Sequence, residues 1–217
     1  MADQKDQTAQ LRSEITRLRK ELKQALKQAV AREAKLQRYQ AGLEAANAML
    51  RELATTDPLT GLANRRMFDA RLSAEYLQAR RYKRPLSVML LDADNFKRRN
   101  DRYGHDEGDE ALKQLASLLN STVRKSDLVV RYGGEEFVLL LPETDEEHAL
   151  KLGERILAAV RAQKWHMEPM TVSCGVADLC AAEKEHLQLV TCADKALYAA
   201  KRAGKDRVVG YSAVRAE

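Results

Sequence analysis

The chain has few cysteines and no long apolar run. Its three cysteines, Cys174, Cys180 and Cys192, form no CxxC pair, and their odd number argues against a disulfide framework. This spacing does not indicate structural zinc either. The N-terminus lacks the apolar core of a signal peptide, and no run approaches the ~20 apolar residues of a membrane span. We therefore expect a cytoplasmic protein.

Excess basic charge is also missing from most of the chain, although the formal net charge is +5. The first 55 residues contain 11 Lys/Arg and 7 Asp/Glu, whereas the remainder contains 26 and 25. A solvated helix surface explains the N-terminal excess more simply than a nucleic-acid-binding face does. Nucleic acid is therefore not an expected partner.

Proline is absent before Pro58, and Gly42 is the only glycine in that segment. Apolar residues there follow a heptad seam, with alternating steps of four and three, which is broken only by Arg32. The pattern predicts one helix over about 8–54. Because a lone helix cannot bury such a stripe, a parallel coiled-coil dimer is favoured over packing against the chain's own domain. The weak middle of the seam, from Ala25 to Arg32, indicates competing registers, which would be either a switch or a soft spot in the helix.

The sequence divides into a predicted dimerisation helix over 1–55 and a second domain over 56–217. Pro58 disfavours a helical residue before it, so the first helix should end just upstream. Asn64 is placed to cap a helix over about 65–82. The patterns that follow give strand, helix, hairpin, helix, strand, helix and strand, in that order. This order predicts an α/β domain with a mixed central sheet flanked by helices.

Acidic residues stand where two predicted strands end: Asp92, Asp94, Glu135 and Glu136. If these strands are neighbours, two or three of the carboxylates of Asp92, Glu135 and Glu136 converge and suit Mg²⁺, which prefers oxygen ligands. Gly133 and Gly134 let a phosphate approach the backbone closely, and Lys97 supplies a counter-charge. The polar residues around Lys97 are expected as a loop before the next helix. An ordinary charged hairpin accounts for the acids equally well.

Four stretches resemble, in order and spacing, the motifs of the GGDEF family of diguanylate cyclases. They are "DPLTGLANRR", "LLDADNFKRRNDRYGHDEGDEALK", "RYGGEEF" and "ADKALYAAKRAGKDRV", within about Asp57 to Tyr211. The resemblance implies a fold similar to polymerase palms and class III nucleotide cyclases. It also implies condensation of two GTP molecules into cyclic di-GMP, with release of two pyrophosphates. The alternatives are an inactive member that binds nucleotide or cyclic di-GMP, and a coiled-coil scaffold.

The resemblance further implies a catalytic centre. Its metal ligands are Asp92, Glu135, Glu136 and the backbone carbonyl of Ala93, for two Mg²⁺ or Mn²⁺ ions per site. Glu135 is also implied as the base, and Lys97 as a stabiliser of phosphate charge. The implied substrate-binding residues are Phe96, Asn100, His105, Asp109, Gly133, Gly134, Lys201 and Lys205. For Asn100 and Asp109, which match guanine readers, helix capping is the alternative explanation.

Two regulatory features follow from the same resemblance. Arg124 and Asp127 in "RKSD" match the family's RxxD product-binding motif, and Arg155 matches a second arginine for the same ligand. A surface ion pair of little energy is the alternative for this common pattern. Because one site holds one GTP, two domains must face each other, and a homodimer through the N-terminal helix would supply the high effective concentration.

Overall fold

The computed structural model describes residues 55–179 and 185–215, together with scattered residues between 14 and 43. The chain divides into two units, Met1–Glu52 and Leu53–Glu217. In the first unit every described residue is helical, in agreement with the predicted helix. The predicted ends of that helix, and Cys180, lie outside the described residues.

Seam side chains of the first unit face solvent in the single chain. Leu18 and Leu22 are 52% and 63% exposed, and Leu36, Tyr39 and Leu43 are similarly open. The apolar stripe predicted from the heptad pattern is therefore on the helix surface at these positions. A coiled-coil partner stays a prediction.

The described part of the second unit contains six strands and six helices. The strands are β1 (Ala63–Asn64), β2 (Leu86–Ala93), β3 (Leu128–Gly133), β4 (Glu136–Pro142), β5 (Val172–Asp178) and β6 (Val208–Gly210). The helices are α1 (Arg65–Tyr82), α2 (Phe96–Tyr103), α3 (His105–Thr122), α4 (Glu146–Ala162), α5 (His186–Arg202) and α6 (Tyr211–Arg215). Within this described part, no helix is long and apolar enough to cross a membrane.

The strands form one mixed sheet in the order β1-β3-β4-β2-β5-β6. The central strand β2 is antiparallel to both β4 and β5, whereas β1 is parallel to β3 and β5 is parallel to β6. The register places Asp92 between Glu136 on β4 and Ser173 on β5. The prediction of a mixed sheet flanked by helices is confirmed.

Alternating residues of β2 enter two cores on opposite faces of the sheet. Met89 and Leu91 pack with α3 and α4, whereas Val88 and Leu90 pack with α1 and α5. At Gly175 on β5 an added Cβ would lie 2.1 Å from a backbone nitrogen of α5, so that helix can approach closely. Two layers of helices thus fix the sheet end where Asp92 lies.

The structure also differs from the prediction in three places. The polar residues after Asp94, expected as a loop, form α2, since Phe96 and Arg99 give that short helix a buried side. The last strand is only Val208–Gly210 and continues into α6. The two-residue strand β1 is too short for a periodic signal. Asn64 caps α1 as predicted, because its side chain accepts a 3.1 Å hydrogen bond from the Met67 N–H.

Candidate active site

The acids predicted to converge lie together at one end of the sheet. Asp92, on β2, is 8% exposed and stands opposite Glu136, the first residue of β4. The Ala93 N–H donates to the Glu135 carbonyl at 3.3 Å, which ties the hairpin turn to β2. Lys201 of α5 places its Nζ 2.7 Å from Asp92 Oδ2. One lysine therefore lies among three carboxylates.

The electrostatics of this cluster favour a cation. Burial raises the pKa of Asp92, and the nearby charges of Glu135 and Asp94 raise it further, although Lys201 opposes them. Burial and the charge of Asp92 likewise raise the pKa of Glu136. Each raised pKa means that the ionised form is held at a cost, which a bound divalent cation would relieve.

The two signature glycines leave the hairpin turn open. An added Cβ at Gly133 or Gly134 would meet no atom within 4 Å, and Gly134 has a left-handed φ of +51°. Arg131 holds the turn from behind, since its Nε donates to the Gly134 carbonyl at 2.9 Å. A phosphate can therefore reach backbone atoms on the open side.

Arg131 also joins the turn to the "DPLTG" segment. Its Nη1 lies 3.1 Å from Oδ1 of Asp57, which accepts further hydrogen bonds from the backbone N–H and hydroxyl of Thr60 at 2.9 and 2.7 Å. Burial acts to raise the pKa of Asp57, but the hydrogen bonds from Thr60 and Arg131 outweigh it and hold that pKa below its ordinary value. Two of the resembling motifs thus meet in one ion pair.

Asp94 is a second buried carboxylate, and its hydrogen bonds are internal. It accepts from the hydroxyls of Thr171 and Ser173, each at 2.7 Å, and from the Asp206 N–H at 3.1 Å. These three donors satisfy the hydrogen-bonding capacity of a buried carboxylate and hold its position. Asp94 therefore connects β2, β5 and the loop that contains Lys205.

The Lys205 loop is conformationally unusual. Asn95, Lys205 and Asp206 have left-handed φ values of 58°, 66° and 47°. The Nζ of Lys205 lies 2.6 Å from Oδ1 of Asn95, which joins two of these residues directly. Such backbone costs on the order of 1–3 kcal/mol per residue and gathers at functional sites. Lys201 thus contacts Asp92 directly, whereas Lys205 contacts Asn95, three residues later in the chain.

The remaining predicted substrate residues lie on α2 and α3. Lys97, His105 and Asp109 are exposed, and Asn100 is partly buried with an Oδ1 that has no hydrogen-bond partner. The N-caps of these helices are Asn95 and Gly104, so capping does not explain Asn100 or Asp109. The Phe96 ring is buried, which leaves its backbone N–H for contact with a substrate.

Comparison with known proteins settles the family. Residues 54–207 match the family described as diguanylate cyclase, GGDEF domain. The chain belongs to the GGDEF family. Diguanylate cyclase DgcP of Pseudomonas aeruginosa is 44% identical over 161 residues, which are 73% of this chain and 24% of that protein. This chain therefore spans about a quarter of that relative.

Solved GGDEF structures share the fold. The coiled coil and GGDEF domain of DgcB from Caulobacter crescentus, in complex with c-di-GMP, match with a TM-score of 0.74 and 31% identity, over 82% of this chain and 98% of that one. Diguanylate cyclase SiaD, in complex with its activator SiaC from Pseudomonas aeruginosa, matches with a TM-score of 0.71 and 38% identity, over 95% and 79%. The palm-like fold expected from the sequence is confirmed.

The donor set suits a metal that arrives with its substrate. Among the described residues, no three His, Cys, Asp or Glu side chains are close enough to hold a metal alone. Magnesium is commonly bound by one or two carboxylates plus substrate phosphates. Asp92 and the signature acids offer carboxylate oxygens, and the open turn gives phosphate access, so the residues of the GGDEF site fit this mode.

The RxxD segment, Arg124 to Asp127, forms a tight turn. Arg124 lies near the start of β2 and the end of β4, at the opposite end of these strands from the acids. Asp127 Oδ2 accepts from the Arg124 N–H at 3.0 Å, and the Arg155 guanidinium donates to the Thr122 carbonyl at 2.8 Å. The exposed Arg124 lines a cavity of about 400 Å³ together with Arg84 and others. Arg124 and Arg155 therefore flank the same short loop.

Sequence reasoning assigned no role to three residues that organise the GGDEF site. These are Asp57 and Arg131, which form the ion pair behind the turn, and the hydrogen-bonded Asp94. Asp94 had a usable signal, since it stands two residues after Asp92, at the end of the same predicted strand run. Asp57 and Arg131 lie 74 positions apart in the sequence, so no local sequence pattern could have paired them.

Proposed function

We propose that this chain is a diguanylate cyclase, which condenses two GTP molecules into cyclic di-GMP and releases two pyrophosphates. The supporting observation is the cluster of Asp92, Glu135 and Glu136 with Lys201 at one end of the sheet. An inactive relative of this family usually lacks one of these acids. The alternative, a module that only binds nucleotide or cyclic di-GMP, does not explain why the complete set of catalytic acids is present.

Asp92, Glu135, Glu136 and the Ala93 carbonyl are the proposed ligands of two Mg²⁺ or Mn²⁺ ions. When bound, such ions neutralise phosphate charge and lower the pKa of a coordinated hydroxyl. Glu135, half-buried at the turn, accepts the proton of the attacking ribose 3′-hydroxyl.

Basic side chains and open backbone hold the triphosphate in this proposal. Lys201 exchanges Asp92 for a phosphate oxygen, and Lys205 does the same with Asn95, since both lysines already lie within hydrogen-bond distance of oxygen. Lys97, on the first turn of α2, adds charge, and the N-terminus of that helix favours anions. Gly133–Gly134 admit the phosphates to the backbone.

Guanine is the base that the α2–α3 pair is proposed to read. An acid such as Asp109 accepts from the guanine amino and ring N–H groups, which adenine does not offer in that arrangement. Asn100 supplies the amide, and its unpartnered Oδ1 supports a missing ligand contact. His105 orders the junction between the helices.

Two chains are needed for one product, so a homodimer through the N-terminal helix is part of the proposal. Each 3′-hydroxyl attacks the α-phosphate held by the other domain, and a shared helix pair raises the effective concentration. The exposed seam residues support this pairing. The similar DgcB structure, which comprises a coiled coil and a GGDEF domain, also supports this pairing. As a consumer of GTP the protein belongs in the cytoplasm.

Product inhibition through Arg124, Asp127 and Arg155 completes the proposal. Guanidinium groups bind phosphate oxygens bidentately and stack on guanine faces. Arg124 is exposed beside a cavity, and the Arg155 guanidinium contacts the carbonyl of Thr122, two residues before Arg124. Cyclic di-GMP bound there would hold the two domains in a non-productive arrangement, without competing for the GTP site.

Incubation with GTP and Mg²⁺, with the product identified by mass, tests the activity. Cyclic di-GMP and pyrophosphate in a ratio of about one to two are expected from the stoichiometry. Binding of a non-hydrolysable GTP analogue without any product would favour the binding module instead. Absence of both turnover and nucleotide binding would overturn the two together.

A further inference from the structure

Arg99 is a buried arginine in the middle of α2. It is 7% exposed, and its Nη2 lies 2.9 Å from Oε1 of Glu107 on α3. Its Nη1 donates to the backbone carbonyl of Glu168 at 2.7 Å, in the segment between α4 and β5. A buried guanidinium is rare unless it is paired. This one connects three segments of the chain.

The Arg99–Glu107 pair lies next to the closest approach of the two helices. Arg99 precedes Asn100, and Glu107 precedes Gly108, so the two contacts are successive across the α2–α3 junction. An added Cβ at Gly108 would lie 1.9 Å from Asn100 Oδ1, so a side chain there would displace the Asn100 amide from its place against α3. The ion pair therefore sets the helix separation where Asn100 rests.

The pair is also stiff. Two of the three guanidinium nitrogens have partners, and the Glu107 side chain, at 10% exposed, has its other oxygen 3.1 Å from His166 Nδ1. A buried ion pair adds little net stability compared with apolar residues, but it fixes geometry, and loss of one partner leaves an uncompensated charge. The main effect of this ion pair is therefore to fix the position of α2 relative to α3.

We infer that Arg99 is a positioning residue for base recognition, which holds Asn100 and Asp109 at the separation that reads guanine. Arg99 itself touches no substrate. This inference rests on the proposed function, because it assigns the α2–α3 pair to the base. A purely structural Arg99 would lower the folded fraction without changing the choice between bases.

The test compares GTP with inosine triphosphate, which lacks the 2-amino group of guanine. The proteins are the wild type, Arg99→Met, Arg99→Lys and the control Arg102→Met. Arg102 lies on the same helix and pairs with Glu168 at 3.4 Å, but on the surface. The readout is the ratio of kcat/KM for the two nucleotides, with the folded fraction checked by circular dichroism.

Arg99→Met should reduce the preference for GTP about tenfold, which is the effect of losing one hydrogen bond to a charged group. Arg99→Lys keeps a positive charge beside Glu107, but a lysine cannot also reach the Glu168 carbonyl. Its preference for GTP should therefore lie between that of the wild type and that of Arg99→Met. Arg102→Met should keep the wild-type ratio. If Arg99→Met does not fold, the lysine variant decides.

The possible failures are distinguishable. A wild type that prefers GTP, with an unchanged preference in both Arg99 variants, overturns this inference alone. If the wild type does not turn over, equilibrium binding of non-hydrolysable analogues of the two nucleotides replaces the kinetics. If the wild type binds the analogues of GTP and inosine triphosphate equally well, both the guanine assignment and this inference are overturned.

Discussion

The ion pair between Asp57 and Arg131 gives a prediction that can be worked out from the structure. The proposed changes are Asp57→Asn, Arg131→Gln and the double variant. Asp57 accepts from the Thr60 N–H and hydroxyl and from Arg131, and Arg131 also holds the Gly134 carbonyl. Each single change removes the charge from one side of a contact that joins two distant segments.

The magnitude follows from the number and surroundings of these hydrogen bonds. A hydrogen bond to a charged group contributes about 1.5–3 kcal/mol, and surface exposure reduces this. Both side chains of the Asp57–Arg131 pair are 16% exposed, so we expect a coupling of about 1–2 kcal/mol. For a domain of this size, each kcal/mol changes Tm by about 2–4 °C, so the loss of this coupling should lower Tm by about 2–8 °C in each single variant.

Thermal unfolding followed by circular dichroism measures the coupling in a double-mutant cycle. The matched control is the exposed Glu147–Lys151 pair on α4, for which no measurable coupling is expected. Because the folded pKa of Asp57 is lowered, its contribution is present above the ordinary value of 3.8 and is lost as pH falls through the lowered pKa. Additive effects of the two changes at pH 7 would refute the reasoning.

Three further outcomes concern the proposed function. Glu135→Gln should abolish turnover while the circular dichroism spectrum is kept, because an amide is a poor magnesium ligand and no base; wild-type turnover would contradict this. Arg124→Ala should keep the initial rate but accumulate more product, with product affinity at least about tenfold weaker, and progress curves that flatten as in the wild type would argue against it. Replacing Leu18 and Leu22 with charged residues should lower activity per chain, most of all at low protein concentration. If activity is proportional to protein concentration in both the wild type and this variant, and equal in the two, the coiled coil has no part in the mechanism.

Much of the fold could be predicted because its elements have strong local patterns. The strand "LSVMLLDA" is apolar at all positions except Ser87 and Asp92, since both of its faces are buried. The helix α1 begins after Asn64, whose side chain caps it. The helix α2 was missed because six of its eight residues are polar or charged and its buried side includes an arginine. A buried ion pair has no signature in hydrophobic periodicity.

The acidic part of the site could also be predicted, whereas its supports could not. Asp92 and the signature acids stand at the ends of strands, and adjacency of those strands brings them together. The partners of Arg131 and Arg99 come from other segments, and only tertiary packing places them within reach. Motif spacing identifies the residues that are proposed to meet the ligand, and long-range contacts decide how those residues are held.

Three ion pairs connect the elements of the site: Asp57–Arg131, Arg99–Glu107 and Asp92–Lys201. Their exposure differs in the way that their proposed tasks require. Lys201 is 35% exposed, and it must leave Asp92 when a phosphate and its cation arrive. The other two pairs are less exposed, where losing a partner is costlier and motion is smaller. Because the pair that must exchange partners is the most open, nucleotide can enter without disturbing the pairs that support the turn and the α2–α3 junction.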